Sequence, residues 1–316
     1  MKRAVRILHL FIVVSLVGTF LNAYILPSVF PYFNYISIVF PYLFGIHLLF
    51  LTFYFIRKEK LRWIYSVATL LLLIPLSRWI TFSFPTTKEN TIKILSLNAN
   101  SGLDKEEEIQ EYIRAIRPDF VFFQESRFNK SEFLKLENLP FNARCYLTLM
   151  YSKHPILEEG TIVDSVENWG QSHYMDVVVN GKRTRLINVY LESFRYRPNA
   201  KNLGSAISTL NATFKIHEKQ IEALKIAIQE SPYPIILAGD FNSTPNSYEY
   251  YQINALLQDS FTEGGKGLGT SFWTSKFPLR IDYIFSSKDF KCISYKVDHS
   301  VHLSDHQPII AEFLTN

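Results

Sequence analysis

The chain has 316 residues, 47% of them apolar and 15% aromatic, and a formal charge of +4. That charge is unevenly divided: the first 85 residues hold eight Lys/Arg against one Asp/Glu, and the rest hold 25 against 28. The larger part therefore has no strong electrostatic footprint for nucleic acid, and two cysteines are too few for a disulfide framework.

Three apolar stretches come first, at about Ile7–Leu26, Ile36–Ile56 and Trp63–Phe84. Each approaches the roughly 20 residues that cross a bilayer core. Lys2, Arg3 and Arg6 ahead of the first stretch mimic the start of a signal peptide. Leu21–Tyr24 has no small-x-small cleavage site, however, and two further apolar stretches follow. Residues 1–84 thus read as a membrane region with three transmembrane helices. The positive-inside rule puts the N-terminus and the basic loop Arg57–Arg62 in the cytoplasm, and the uncharged aromatic loop Pro27–Tyr35 at the far interface. Three crossings leave everything after Phe84 outside the cytoplasm, tethered to the lipid bilayer. The third stretch is the weakest, with Pro75 inside it and Arg78 near its outer end, where a long side chain can snorkel. His47 reads as packing between helices. The stretches lack the interior charges of a transporter or channel.

Pro85–Thr91 is a short polar linker. From Ile92 to Asn316 strand-like and helix-like segments alternate in a single domain, with no repeat or second linker. Ile92–Leu97 is an apolar run ending at Asn98. Asp104–Ile116 has helical spacing, acids early and Arg114 and Arg117 late, and Pro118 stops it. Asp119–Gln124 is a buried strand ending at Glu125. Cys145–Tyr151, Tyr174–Val179 and Arg183–Leu191 read as strands. Ala212–Ile228 reads as an amphipathic helix with Phe214, Ile221, Leu224 and Ile228 on one face. Ile235–Ala238, Ile281–Phe285, Lys291–Val297 and Ile309–Phe313 complete the strands. The pattern predicts an α/β sandwich whose first and last strands close one core. Whether Cys145 and Cys292 pair is left open by the sequence.

The chemistry collects at strand ends. Asn98, Glu125, Tyr190 and the pair Asp240 and Asn242 each follow an apolar run, Asp282 lies within one, and Asp305 and His306 precede the last. A sheet edge that gathers such residues builds a pocket of carboxylates that repel one another and call for a cation. Oxygen ligands with one His nearby favour Mg²⁺ or Mn²⁺ over Zn²⁺. A hard cation beside an Asp and a His suits water attack on a phosphate ester. Asp298, His299 and His302 read as a polar loop rather than a transition-metal site. Singly, each feature of the set has a plainer reading: Glu125 as a solvated strand end, Gly239–Asn242 as an ordinary turn, Asp282 as a surface partner of Arg280, Tyr190 as a core aromatic, and Ser304–His306 as a loop before Pro308. Their joint occurrence, each beside an apolar run, is what the plain readings leave unexplained.

From about Ile92 to Phe313 the chain resembles the endonuclease/exonuclease/phosphatase superfamily, which shares the deoxyribonuclease-I-like fold. The matching pieces are Leu97–Asn98, Phe123–Glu125, Asn188–Leu191, Gly239–Pro245, Arg280–Phe285 and Ser304–Pro308, and the last three are specific. With apolar spans in front, the chain is similar to small membrane-anchored bacterial members. The resemblance implies two mixed β-sheets packed face to face with outer helices, a four-layer sandwich. It implies Glu125 as the principal Mg²⁺ ligand, with Asn98 close by and Asp305 a second carboxylate. It implies that Asp240 positions or deprotonates the attacking water, and that Asn242 donates to the phosphate as charge builds. His306 contacts the phosphate or acts as the base, oriented by Asp282. Tyr190 stands where many relatives carry His; a phenol still donates to a phosphate oxygen. Arg195, Arg197 and Trp273, with Trp169, Tyr174, Phe194 and Tyr196, are expected to shape the substrate mouth.

The expected function is that of a membrane-tethered, Mg²⁺-dependent phosphoesterase that hydrolyses a phosphodiester or phosphomonoester, the tether and the net −3 of the soluble part favouring a lipid or small phosphodiester. An extracytoplasmic nuclease is the first alternative, since Arg183, Arg185, Arg195 and Arg197 offer a local basic edge to DNA or RNA. A catalytically inactive binding or scaffold module is the second; no expected site residue is missing to favour it. No protein partner is expected.

Overall fold

The computed structural model describes residues 2–83, 91–102, 104–127, 134–163, 171–194, 203–273 and 277–314. Two six-stranded mixed sheets form the body of residues 91–314. The first runs Lys291–Val297, Ile309–Leu314, Thr91–Ser101, Phe120–Ser126, Thr148–Ser152, Phe141–Cys145. The second runs Gln258–Asp259, Asp282–Ser286, Ile235–Asp240, Lys182–Tyr190, Gln171–Val179, Ile156–Val163. The strand Ile309–Leu314 lies between Lys291–Val297 and Thr91–Ser101, so first and last strands do close one core.

Strand alternation makes the layers. Phe120 and Phe122 point between the sheets, into a core with Ile94, Met150, Met175, Leu186, Ile236 and Phe313. Their neighbours Val121 and Phe123 point the other way, against Ile109 and Ile113 of the helix Glu106–Ile116. In the second sheet Ile187, Val189 and Leu237 pack outward on Ile221, Leu224 and Ile228 of the helix Leu203–Gln229. Period two in the strands and period 3.6 in the helices thus produce helix, sheet, sheet, helix.

Several expected boundaries move. Cys145–Tyr151 is not one strand: Tyr146 has φ +49°, the chain turns, and Phe141–Cys145 pairs back on Thr148–Ser152. Ile156–Val163, with its acidic Glu158 and Glu159, is a strand that alternation alone did not reveal. Cys145 and Cys292 form no disulfide and sit on opposite edge strands of the same sheet, which rules out their pairing.

Two N-terminal helices, Arg3–Ala23 and Tyr32–Ile56, are long and apolar enough to cross a membrane. The third stretch behaves differently. Its helix, Leu61–Leu76, has 16 residues, about 24 Å at 1.5 Å per residue, and ends just after Pro75. The chain then leaves the bundle, and Ile80–Phe82 pairs with Lys266–Leu268. The expected span Trp63–Phe84 is therefore a shorter helix followed by a strand that joins the sandwich. The expected linker lies, apart from Thr91, outside the described residues. At one end of the bundle Arg6 pairs with Glu59 at 2.9 Å. The other end meets the sandwich: Asn22 Nδ2 donates to the Asn246 carbonyl at 2.7 Å, and Arg78 donates to Asn246 Oδ1 at 3.0 Å. His47 is buried between helices, 2.8 Å from His9 and from Thr69.

Candidate active site

Strand register places the polar residues side by side. In the second sheet Tyr190 pairs with Asp240 across parallel strands, and Asp240 with Asp282 across antiparallel ones. In the first, Asn98 pairs with Gln124, one residue before Glu125. The two sheets meet at these ends. Asn98 Nδ2 donates to Asp240 Oδ2 at 2.9 Å and to Glu125 Oε1 at 3.2 Å, and the Tyr190 hydroxyl donates to the same Glu125 oxygen at 2.8 Å. Below them Gln124 Nε2 donates to Asn188 Oδ1 at 2.7 Å, and Asn188 Nδ2 to the Phe123 carbonyl at 2.9 Å. These buried amides pin one sheet to the other under the site.

The backbone here is unusual. Gly239 has φ +149°, and a Cβ there would lie 1.9 Å from the Val189 carbonyl oxygen. Only glycine lets the strand bearing Asp240 approach the strand bearing Tyr190 this closely. Glu125 and Asn242 are both left-handed, at φ +50° and +47°. Asn tolerates this; for Glu it costs on the order of 1 kcal/mol, and such residues cluster at functional sites.

His306 is held from two sides. Its ring lies 4.6 Å from that of Phe272, and its Nδ1 lies 2.9 Å from Asp282 Oδ2. Its Nε2 faces Asp240 Oδ2 at 3.9 Å. Asp240, Asp282 and His306 are all buried, with one ligand-type atom of each within 4.8 Å of the others. Burial first, then the charge of Asp282, pushes the Asp240 carboxyl up to about 7, against the pull of His306 and of the hydrogen bonds from Asn242 and Asn98. Burial pulls the His306 imidazole down. The charge and hydrogen bond of Asp282, helped by Asp240 and Asp305, more than reverse this and hold it up at about 10. Burial, then Glu125 and Asp240, raises the Tyr190 phenol, which stays a proton donor.

Asn98, Glu125, Tyr190, Asp240, Asp282 and His306 thus converge. Asn242 adjoins them: its N–H donates to Asp240 Oδ1 at 2.7 Å, and one amide proton goes to the Leu191 carbonyl at 3.0 Å. The other amide proton has no partner among the described residues. Asp305 is exposed on the rim, where its carboxylate accepts the Ser304 hydroxyl at 3.0 Å. Trp273, 57% exposed, lines a neighbouring cleft of about 920 Å³ with Leu268, Pro278, Lys296 and Asp305. Arg195, Arg197, Trp169 and Tyr196 lie outside the described residues.

Two of the alternative readings are overturned. Arg280 is not a surface partner of Asp282; it is buried and grips Asp259 at 2.8 and 2.6 Å. Arg183 and Arg185 offer no open basic edge. Arg185 forks onto Asp176 at 2.8 and 2.9 Å, and Arg183 pairs with Asp176 and Glu158 at 3.1 and 2.6 Å. Sequence reasoning also missed Phe272, which opens the two-residue strand Phe272–Trp273 without a motif and becomes visible only as the ring beside His306.

The donor set suits a hard cation. Glu125 Oε1 is already engaged by Tyr190 and Asn98, which leaves the second oxygen of its half-buried carboxylate available. Asn98 Oδ1 accepts the Asn100 N–H at 3.0 Å and keeps a second lone pair as a carbonyl ligand, and no thiol is among these residues. The Asp282 and His306 pair is less apt as a ligand set, because Nδ1 and Asp282 Oδ2 already satisfy each other.

A family model described as the endonuclease/exonuclease/phosphatase family matches residues 95–306, and a domain of unknown function matches residues 2–79. No curated protein matches the chain. Solved structures share the fold. An endonuclease/exonuclease/phosphatase from Bacteroides vulgatus is 16% identical, with TM-score 0.56, covering 72% of this chain and 100% of its own. D. rerio TDP2, complexed with a single-strand DNA product, is 20% identical, with TM-score 0.55, covering 72% and 100%. The 3′ phosphatase NExo from Neisseria, bound to a product DNA hairpin, is 18% identical, with TM-score 0.54, covering 70% and 99%. The matched segment spans every converging residue from Asn98 to His306, and the chain belongs to the endonuclease/exonuclease/phosphatase family, whose members are metal-dependent phosphoester hydrolases.

Proposed function

We propose that the protein is a membrane-tethered phosphoesterase that uses Mg²⁺ or Mn²⁺ to direct water onto a phosphodiester or phosphomonoester of a lipid or small molecule. The observation that carries this reading is the convergence of Glu125 and Asn98 from one sheet with Tyr190, Asp240 and Asp282 from the other, and with His306 from the loop just ahead of Ile309–Leu314. Glu125 and Asn98 would hold the cation, with Asp305 on the rim as a further carboxylate. A hard cation bound there supplies positive charge to the phosphate and leaving oxygens.

The other roles fall to the chain's own groups. Asp240, buried and fixed by the Asn242 N–H and Asn98, takes the proton of the attacking water. His306, kept protonated by Asp282, binds a phosphate oxygen through Nε2. The free amide proton of Asn242 donates as charge develops on the phosphate, while the Tyr190 hydroxyl, committed to Glu125 Oε1, fixes that carboxylate. Arg195, Arg197 and Trp273 are the proposed substrate contacts at the mouth.

A lipid or amphiphilic ester is favoured by the surroundings. Trp273 and Leu268 line the cleft beside Asp305, and Phe277, in the same hairpin region, sets its ring 5.3 Å from Tyr42 of a membrane-length helix. The sandwich docks on the end of the bundle away from Arg6, Glu59 and Arg62. This supports a cytoplasmic N-terminus and a catalytic domain, residues 92–316, outside the cytoplasm. A nuclease is the second reading, since the D. rerio and Neisseria neighbours carry DNA products.

The test is hydrolysis by the full chain in detergent of DNA, RNA, a phosphomonoester, sphingomyelin and phosphoinositides, each with Mg²⁺ or EDTA. EDTA-sensitive cleavage of a lipid is the expected result. Cleavage that ignores EDTA would sink the metal reading, and cleavage of nucleic acid alone would replace the lipid reading with the second. A reporter active only outside the cytoplasm, fused after Asn316, should be active; silence would invert the topology.

A further inference from the structure

The loop that carries Asn242 continues as Ser243–Ser247 and leads into the helix Tyr248–Asn254. Each N-terminal helix reaches it with a polar group. Asn22, in the turn that extends the first helix, donates to the Asn246 carbonyl at 2.7 Å. Asn34, in the second, accepts the Tyr248 N–H at 2.9 Å and donates to Glu249 Oε2 at 3.2 Å. The Pro75 carbonyl, near the end of the third, accepts Asn246 Nδ2 at 3.3 Å. Asn246 itself is left-handed, at φ +72°.

From Asn34 a buried polar path runs on toward the site. Glu249 Oε1 lies 2.8 Å from His217 Nδ1, and His217 Nε2 lies 2.7 Å from the Glu192 carbonyl. Leu191, one residue earlier, gives its carbonyl to Asn242 Nδ2 at 3.0 Å and its N–H to the Asp240 carbonyl at 2.9 Å. Asn34, Glu249 and His217 are each at most 1% exposed. Apolar side chains would seal this interface as well. Polar ones are costly wherever a partner is lost, about 1–3 kcal/mol per buried group, and so admit one geometry. A simple anchor has no need of that.

We infer that Asn34, Glu249 and His217 are positioning residues for Asn242, so that the N-terminal bundle is a working part of the catalytic unit. This rests on the role proposed above for Asn242. Asn34→Leu removes the two contacts of Asn34 without much change of volume. It frees Glu249, and through His217 the segment Leu191–Glu192, to shift against Asn242. A shift of about 1 Å at a catalytic group costs on the order of a hundredfold in rate.

The experiment compares full-length wild type, Asn34→Leu and the milder Glu249→Gln in detergent micelles by hydrogen–deuterium exchange and by Mg²⁺-dependent hydrolysis of bis(p-nitrophenyl) phosphate. Faster exchange is expected at Leu191–Glu192 and Phe241–Ser247, with Phe120–Ser126 unchanged. kcat should fall roughly ten- to hundredfold with KM within about twofold. Exchange changes confined to the helices Tyr32–Ile56 and Tyr248–Asn254, or unchanged kcat in both variants, would overturn the inference. If wild type itself does not hydrolyse the probe, exchange alone decides: spread to Leu191–Glu192 upholds the path, and its confinement refutes it. If Asn34→Leu does not fold, Glu249→Gln decides by the same two outcomes.

Discussion

The molecule holds two buried histidine–carboxylate pairs of nearly the same geometry. His306 Nδ1 lies 2.9 Å from Asp282, and His217 Nδ1 lies 2.8 Å from Glu249. They differ at the other nitrogen. His217 Nε2 is tied to the Glu192 carbonyl at 2.7 Å, whereas His306 Nε2 faces Asp240 across 3.9 Å. A pair closed at both ends has no proton to offer and can only hold structure. A pair open at one end, beside a second carboxylate and the left-handed Glu125, can meet a substrate. What separates the proposed catalytic histidine from the structural one here is the occupancy of a single nitrogen, not burial or the presence of an acid.

The largest effect that would sharpen this contrast comes from matched substitutions. His306→Gln should lower kcat by about 10²–10⁴ with little change in Tm. His217→Gln keeps a donor toward Glu192 and should lower kcat about tenfold, the lower end of the range expected for Asn34→Leu and Glu249→Gln, while lowering Tm more. Equal losses of rate in the two variants, measured with any substrate the full chain cleaves, would break the comparison. Next comes Gly239→Ala, where the 1.9 Å overlap with the Val189 carbonyl oxygen cannot be relieved by a side chain. We expect roughly 3 kcal/mol of destabilisation in a denaturant titration; a loss below about 0.5 kcal/mol would show that the strands can part.

The pH response distinguishes the closed pair in a third way. Burial raises the Glu249 carboxyl, but the hydrogen bond and charge of His217 outweigh it and leave it below its ordinary value of 4.5. Such a group stabilises the fold fully above that value, and the contribution is lost as pH falls below it. Wild type should therefore lose Tm on acidification in a window below about 4.5 where Glu249→Gln is flatter. Parallel curves would remove Glu249 from the account. The smallest effect is expected at Arg185, already forked onto Asp176: Arg185→Ala should leave the salt dependence of any DNA binding unchanged, and a shallower slope would restore a role in nucleic-acid contact.

Much of the sandwich was legible because apolar alternation and strand-end residues are local signals. Asn98, Glu125, Asp240 and His306 could be picked out without knowing which strands touch. Pairings across long separations could not. Sequence proximity suggested Arg280 for Asp282, yet the register gives Asp282 to His306 and Arg280 to Asp259. Nor did composition separate the third apolar stretch into a helix and a strand, since Ile80 and Phe82 are as apolar as a span requires and only pairing with Lys266–Leu268 redirects them. Asn22 and Asn34 sat in view as polar residues in apolar surroundings, but their partners lie more than 200 positions away.

The position of Ile309–Leu314 also ties the site to the completion of its sheet. It is the latest described strand in sequence, yet it lies inside its sheet, and His306 is three residues ahead of it. Without it, Thr91–Ser101 and Lys291–Val297 would present unpaired edges, which are templates for misassociation, and His306 would have no fixed place beside Asp282. A truncation before Ile309 therefore removes an interior strand and the seat of His306 together.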